Sequence, residues 1–188
     1  MKLSSDKLCA AAIVAIMTVG CSSPNKDTTL SPQMLCASWD CEIAEDDIRG
    51  RQTITFDSDD NFSEIKKFDY YSADSGFKFN IACEVRTSGR WQLRKDTIVL
   101  NYDDAITVIP DSSSFQIAVI DSVSAVNIQD EVRKDMLRDI SRFLTKNITT
   151  QFRNISGKYY PLGTIKGFPK DTLLIETGNS IVKLVKSH

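Results

Sequence analysis

The stretch FKFNIACEVR, residues 77–86, decides the fold. Every second side chain from Phe77 to Val85 is apolar or a cysteine, and polar or small side chains stand between them. Successive side chains of a β-strand point to opposite faces, so this alternation predicts a strand with one buried face. It is the longest clean alternation in the chain, and shorter ones lie around it in RQTITFD, FSEIKKF, TIVLNY and FQIAVI.

Turn residues separate these segments, which indicates strands that fold back on one another as an antiparallel meander of roughly nine or ten strands. A half-buried meander of this size exposes unpaired edges unless it closes on itself or stacks into two sheets. We therefore expect a mainly β fold in which the meander closes into a barrel.

Two segments of the chain have similar sequences: TSGRWQLRKDTIVLNY (87–102) and ISGKYYPLGTIKGFPKDTLLIE (155–176). Both open with Ser-Gly, a basic residue and an aromatic residue, and both place Lys-Asp-Thr before an apolar run. Asp favours turns and Thr favours strands, so each Asp-Thr is predicted to open a strand. We interpret each copy as one hairpin, with Trp91 or Tyr159 on its first strand.

Residues 127–148 break the alternation. Their apolar side chains recur at every fourth position, which predicts one long amphipathic helix before the last strands. Asn127 is the predicted N-cap, with Asp130 and Glu131 facing the positive end of the helix dipole. We expect the helix to pack on the wall or the end of the barrel. The alternative is a helix that lies on a membrane or binds a partner.

The N-terminus is typical of a secretory signal. Lys2 and Lys7 make a short positive region, and the apolar core that follows, residues 8–19, is shorter than the ~20 residues of a membrane-spanning helix. A small residue precedes Cys21, and the polar stretch after it has no periodicity and indicates a flexible tether. The predicted divisions are a signal (1–20), Cys21 with its tether (21–33) and a single domain (34–188).

Residues 18–23, TVGCSS, resemble the cleavage region of bacterial lipoproteins, whose signal is cut before a cysteine that then carries lipid. The resemblance implies that acylated Cys21 anchors the chain in a membrane; two or three acyl chains, at ~0.8 kcal/mol per buried methylene, hold firmly. Ser22 is not the Asp that retains some lipoproteins at the inner membrane, so an outer-membrane lipoprotein of a Gram-negative bacterium is expected. The alternatives are an ordinary signal peptide or a membrane anchor with a chance cysteine.

The charge balance argues against one class of partner. The chain has 23 Lys+Arg and 25 Asp+Glu, and removing residues 1–20 leaves it slightly more acidic. There is no basic excess that would hold nucleic acid. A monomer without a nucleic-acid partner is expected.

Three cysteines remain in the domain, in a compartment where disulfides persist. Cys41 shares its predicted inward face with Trp39, and Cys83 lies on the inward face of the 77–86 strand, so Cys41–Cys83 is the candidate disulfide. Pairing of Cys36 with either of them stays open, as does the interpretation that all three are small buried thiols.

Three segments resemble the motifs of lipocalin-like domains: LCASW (35–39), ITFDSDDNFSE (54–64) and SGRWQLRKDTIVL (88–100). They are similar to the Leu-x-Gly-x-Trp opening, the second and third strands, and the Ser-Gly-x-Trp with Asp-Thr-Leu of that family. Over residues 34–109 the chain thus resembles the lipocalin-like lipoproteins abundant in Bacteroidetes, although Ala37 stands where glycine is usual. The resemblance implies a lipocalin-like barrel that binds a small hydrophobic or amphipathic molecule.

Five aromatic side chains are the candidate ligand-lining residues, because alternation places them inside: Trp39, Phe56, Phe79, Trp91 and Tyr102. In a small barrel such side chains either fill the interior or line a pocket, and the sequence leaves both open. The alternative function is a non-catalytic scaffold or interaction module that binds another envelope protein or a glycan.

No motif for catalysis, metal binding or a cofactor is present in the sequence. The single histidine, His188, is the last residue, and there is no Gly-rich phosphate loop or Cys-x-x-Cys. Asp57, Asp59 and Asn61 alternate as at the start of a calcium loop, but Phe62 and Phe68 replace its glycine and glutamate. We predict a hairpin turn there, and no enzyme, metal or cofactor.

Overall fold

A computed structural model of the chain describes most of the predicted domain. The described ranges are 30–45, 47–74, 77–119, 130–178 and 180–187. The predicted signal, Cys21, most of the tether and the predicted cap Asn127 lie outside the described residues.

The described chain is mainly β. Its strands are β1 (Ser38–Glu45), β2 (Ile48–Phe56), β3 (Asn61–Asp74), β4 (Phe77–Arg94), β5 (Thr97–Val119), β6 (Tyr159–Gly167), β7 (Thr172–Thr177) and β8 (Ser180–Lys186), and its helices are α1 (Pro32–Leu35) and α2 (Asp130–Phe152). Each strand pairs antiparallel with the next, and β8 pairs with β1, so the meander forms a closed eight-stranded ring. The predicted antiparallel meander is confirmed.

Strand β5 explains why there are fewer strands than expected. TIVLNY and residues 115–119 of FQIAVI belong to one strand, because residues 106–111 between them stay paired with β4. Two register shifts, between Asn80 and Ala82 and between Thr87 and Gly89, let these long strands remain paired while they bend.

The inward side chains form two apolar clusters. The eight-strand cluster draws on every strand of the ring and includes Trp39, Ile54, Phe62, Trp91, Leu100, Tyr102, Ile165, Leu173 and Leu184. The helix cluster draws only on β1 to β5 and on α2, and includes Ile43, Ile48, Phe68, Phe79, Ile81, Phe115, Ile140, Leu144 and Ile148. The two clusters divide the interior along the strands.

Helix α2 covers apolar strand surface that no other strand reaches. Strand β6 pairs with β5 only over Thr97–Asn101, so among the described strands none lies on the second edge of the rest of β5. The side chains of Ile140, Leu144 and Ile148 are buried there, as expected for a helix that completes the core. Within the described residues, no helix combines the length and the apolar character needed to cross a bilayer.

The helix ends four residues later than predicted, at Phe152 rather than 148. Phe152 continues the four-residue apolar spacing, and its ring centroid lies 5.6 Å from that of Tyr102. The chain then turns at Gly157, whose φ of +67° is a left-handed conformation that glycine adopts without strain.

The two similar segments, 87–102 and 155–176, both form hairpins, β4–β5 and β6–β7. In each hairpin the lysine before Asp-Thr turns the chain with a positive φ, 59° at Lys95 and 53° at Lys170. The Ser-Gly pairs have different roles. Gly89 lies inside β4, where an added Cβ would be 2.1 Å from the carbonyl oxygen of Asn101, whereas Gly157 serves the turn after α2.

The calcium-like segment is the hairpin turn between β2 and β3. The backbone N–H groups of Asp59 and Asn61 donate to Asp57 Oδ1 at 2.9 and 2.8 Å. The Asn61 N–H is the main cause that lowers the pKa of Asp57. This carboxylate therefore stabilises the turn. Within the described residues, no group of three or more His, Cys, Asp or Glu is placed to hold a metal.

The ring closes at a narrow seam. Strands β1 and β8 pair only at Trp39–Lys186 and Asp40–Val185. The Asp40 carboxylate strengthens this seam by accepting hydrogen bonds from Arg51, from Thr53 Oγ1 at 2.6 Å and from Ser187 Oγ at 2.6 Å. Burial opposes ionisation of Asp40, but these hydrogen bonds outweigh it and lower the pKa of the carboxyl group.

We expect Asp40→Ala to lower the free energy of unfolding by about 1.5–3 kcal/mol at neutral pH, as for loss of hydrogen bonds to a charged group. Because folding lowers this pKa, the contribution is present above the ordinary carboxyl pKa of about 3.9 and is lost as the pH falls through the lowered value. Urea unfolding at several pH values measures both effects. Asp104→Ala, at an exposed position of β5, is the control, and equal stabilities of the two variants would contradict the assignment.

Candidate functional site

Four of the five candidate aromatic side chains fill the eight-strand cluster. Trp39, Phe56, Trp91 and Tyr102 are all buried. The rings of Phe56 and Trp91 lie 4.9 Å apart, and those of Tyr102 and Phe152 lie 5.6 Å apart. Each indole N–H donates to a backbone carbonyl, Trp39 to Leu35 at 2.9 Å and Trp91 to Asp57 at 3.2 Å. These side chains pack on one another rather than around a space.

The fifth candidate, Phe79, lies apart from the others in the helix cluster. Its ring centroid is 6.0 Å from that of Tyr70 and 6.3 Å from that of Phe115. The structure therefore does not bring the five candidates together around one pocket.

Buried polar side chains separate the two apolar clusters. We call them the central polar cluster: Gln52, Glu64, Lys66, Thr87 and Tyr102. On β3, Glu64 and Lys66 stand between Phe62 of the eight-strand cluster and Phe68 of the helix cluster. Both side chains point into the ring and are only 3% exposed.

The Glu64 carboxylate is the centre of this cluster. Gln52 Nε2 donates to Glu64 Oε1 at 2.7 Å, and Thr87 Oγ1 donates to Glu64 Oε2 at 2.9 Å. Lys66 Nζ lies 3.4 Å from Oε1 of the same carboxylate. Burial raises the pKa of Tyr102 well above its ordinary value, and the nearby charge of Glu64, to which the hydroxyl is hydrogen-bonded, raises it further.

The space beside the central polar cluster is small. A cavity of about 20 Å³ is lined by Glu64, Lys66 and Thr87 on its polar side and by Ile148 and Phe152 of α2 on its apolar side. That volume admits about one water molecule, whereas sites for small organic ligands measure roughly 300–1,000 Å³. The buried pair is thus positioned to stabilise the interior rather than to meet an organic substrate there.

The sequence contained the signal for the central polar cluster, which our sequence analysis missed. Glu64 and Lys66 are separated from Phe62 and Phe68 by even numbers of residues. Because side chains of a strand alternate between its two faces, all four lie on one face. Gln52 is likewise two residues before the inward-facing Ile54 and lies on the same face of its strand. A charged residue on an inward face requires a partner there, and the two charges satisfy that requirement for each other.

The structure does contain a space of ligand size at one end of the ring. We call it the end groove; its lining residues are Asp47, Tyr71, Ser72, Ala73, Lys78, Phe79, Asn80, Gln116, Ile117 and Ala118. It measures about 610 Å³ and lies where β3, β4 and β5 extend beyond the shorter strands. Phe79 is the single candidate aromatic residue that borders it.

The three cysteines of the domain are free thiols, so the candidate Cys41–Cys83 disulfide is not formed in this structure. Strands β2 and β3 separate the two residues, by about 14 Å along the wall at ~4.8 Å per strand, while a disulfide needs Cα atoms within about 7 Å. Burial raises the pKa of Cys41 to about 11 and that of Cys83 to about 12. Both behave as small apolar side chains, the alternative that the sequence left open.

No protein-family model matches the chain, and no curated protein is significantly similar to it. The resemblances to lipoproteins and to lipocalin-like domains therefore stay predictions.

The buried pair makes a prediction about stability. Glu64→Leu leaves the Lys66 charge buried without its carboxylate and is expected to cost about 3–5 kcal/mol, while Glu64→Leu combined with Lys66→Met recovers most of that loss. Urea unfolding followed by tryptophan fluorescence measures both. Glu176→Leu, which breaks the exposed Lys166–Glu176 pair, is the control and should cost under about 1 kcal/mol. A double variant as unstable as the single one would show that the two charges do not depend on each other.

Proposed function

We propose that this protein is a lipid-anchored envelope protein whose lipocalin-like barrel binds a small amphipathic ligand in the end groove. The single observation that carries the binding proposal is the size and composition of that groove. Its volume of about 610 Å³ is within the usual range for small-molecule sites, roughly 300–1,000 Å³.

The lining of the end groove suits an amphipathic molecule. Tyr71 and Ile117 offer apolar surface, and the largely buried Phe79 borders the groove. Lys78 and Asn80 offer hydrogen-bond donors beside it. Burying apolar surface supplies most of the binding energy in such sites, and a few polar groups orient the ligand.

The lipocalin-like assignment is supported by connectivity. Up-and-down barrels of the lipocalin type have eight antiparallel strands, each beside its neighbour in sequence, and the ring has the same order. This chain differs in where the ligand is placed. The interior beside Glu64 has room for about one water, so the proposed site is the groove at the end.

The ligand proposal is tested by reducing the volume of the end groove. Ala73→Phe places a ring at an exposed groove position of β3, and we expect binding of the fluorescent fatty acid cis-parinaric acid to weaken at least tenfold. Ser63→Phe makes the same change at an exposed position ten residues away on the same strand, about 33 Å distant, and should leave binding unchanged. Titrations of residues 22–188 measure it. Equal affinities for the two variants, or no binding by the parent chain, would exclude the groove.

The anchor is tested separately in cells of a Gram-negative host. Metabolic labelling with an alkyne fatty acid should mark the full chain, and the label should disappear in Cys21→Ala. Cys36→Ala removes another cysteine near the start of the domain and should keep the label. Labelled Cys21→Ala would show that the lipid is attached elsewhere.

A second candidate function is a non-catalytic scaffold or interaction module that binds another envelope protein or a glycan. The observation in its favour is the filled interior, in which Trp39, Phe56, Trp91 and Tyr102 pack together. Native mass spectrometry of residues 22–188 purified from bacteria distinguishes the two. A co-purifying adduct of lipid size supports ligand binding, and a clean apo mass supports the module.

A further inference from the structure

The C-terminal half of α2 lines a second groove together with Pro110 of β5. We call it the basic groove. It measures about 530 Å³ and is lined by Pro110, Ser141, Arg142, Thr145, Lys146, Thr149, Thr150 and Arg153. Three of these residues are cations, four carry hydroxyl groups, and none is acidic.

The three cations of this groove are exposed, and none of them pairs with a carboxylate of the described residues. In the part of the chain that the structure describes, no Asp or Glu oxygen lies within 4 Å of Arg142, Lys146 or Arg153. The N-terminal half of α2 is different, since Arg138 there pairs with Asp135 at 3.0 Å. The positive potential is therefore concentrated on the C-terminal half of the helix.

The sequence reinforces this segregation of charge. Residues 140–170 contain no Asp or Glu, although the whole chain has a net charge of −2. The six cations of that segment are Arg142, Lys146, Arg153, Lys158, Lys166 and Lys170. A cationic face on an acidic protein attracts anionic surfaces while the rest of the molecule repels them, which orients the protein on such a surface.

An exposed aromatic residue follows Arg153 of the basic groove by six residues in the sequence. Tyr159, at the start of β6, is 61% exposed, and the Arg94 guanidinium lies 4.6 Å from its ring centroid. Tyrosine is enriched at membrane–water interfaces because its ring is apolar and its hydroxyl is polar. This residue favours a lipid surface over a soluble anion as the partner.

We infer that the basic groove and Tyr159 form a membrane-docking face that binds the anionic headgroups of phospholipids. This inference rests on the charge of the described residues and does not depend on the proposed lipid anchor. Cations spaced over about 16 Å of helix, at ~1.5 Å per residue, contact several headgroups at once. Each basic residue near an anionic leaflet contributes roughly a fivefold gain in binding.

Sedimentation with vesicles tests this without the anchor. Residues 22–188 contain every element of the described fold but lack Cys21. We expect this chain to bind vesicles of equal parts phosphatidylglycerol and phosphatidylcholine, to ignore pure phosphatidylcholine, and to be released by 0.5 M salt, which screens the attraction.

Charge reversal then locates the face. Arg142→Glu/Lys146→Glu/Arg153→Glu should weaken binding about 100-fold, since three contributions of roughly fivefold are lost. The milder Lys146→Gln/Arg153→Gln should weaken it about 20-fold on the same basis. Arg49→Glu/Lys183→Glu/Lys186→Glu gives the same net charge through exposed cations of β2 and β8 and should bind like the parent.

Three outcomes would overturn the inference. The first is recovery of the parent chain in the supernatant with phosphatidylglycerol vesicles. The second is an equal loss of binding in both triple variants, which would show that net charge alone decides. Release by 10 mM inorganic phosphate at constant ionic strength would indicate a site for a free anion instead of a lipid surface. Because the chain tested carries no lipid, failure here does not bear on the Cys21 anchor, and failure of the anchor does not bear on this result.

Discussion

Unequal strand lengths are the constraint on which the rest of this structure depends. Strands β4 and β5 have 18 and 23 residues, whereas β6, β7 and β8 have 9, 6 and 7. A ring built from such strands closes only where the short strands are present. The longer strands continue past that point, and their inward apolar side chains extend beyond the closed part of the ring. That surface must be removed from water, since apolar burial is the main favourable contribution to folding. Helix α2 removes it by packing where strands are absent.

The interior has the same division. Where all eight strands are present, aromatic side chains fill the space; where five strands and the helix are present, a second cluster forms. The Glu64–Lys66 pair lies between them and is stable there only because each charge has partners. Loss of one charge alone is strongly destabilising, whereas replacement of both by well-packed apolar side chains is often neutral.

Periodicity in the sequence was sufficient to predict most of this architecture. The alternation from Phe77 to Val85, the four-residue spacing up to Phe152 and the turns before Thr97 and Thr172 all describe local chemistry, and local chemistry fixed those elements. What could not be predicted is the filling of space. Whether Trp91 lines a pocket or packs on Phe56 depends on side-chain volumes from several strands, and no single segment encodes that sum. Likewise, the dipeptide Ser-Gly occurs at both 88–89 and 156–157. Gly89 permits a close approach of two strands, whereas Gly157 permits a turn.

The spaces of ligand size in this fold lie where the ring is incomplete. A closed and filled ring leaves little room inside, as the cavity of about 20 Å³ shows. The long strands extend beyond the closed part of the ring and form the end groove. The helix that covers them has exposed side chains that line the basic groove. The core constrains only the side of α2 that carries Ile140, Leu144 and Ile148. Cations near the C-terminal end of a helix interact favourably with its dipole, so the stability of α2 accounts for part of the charge pattern. The absence of any acid continues through β6 to residue 170, and the proposed docking on an anionic surface would account for that extent.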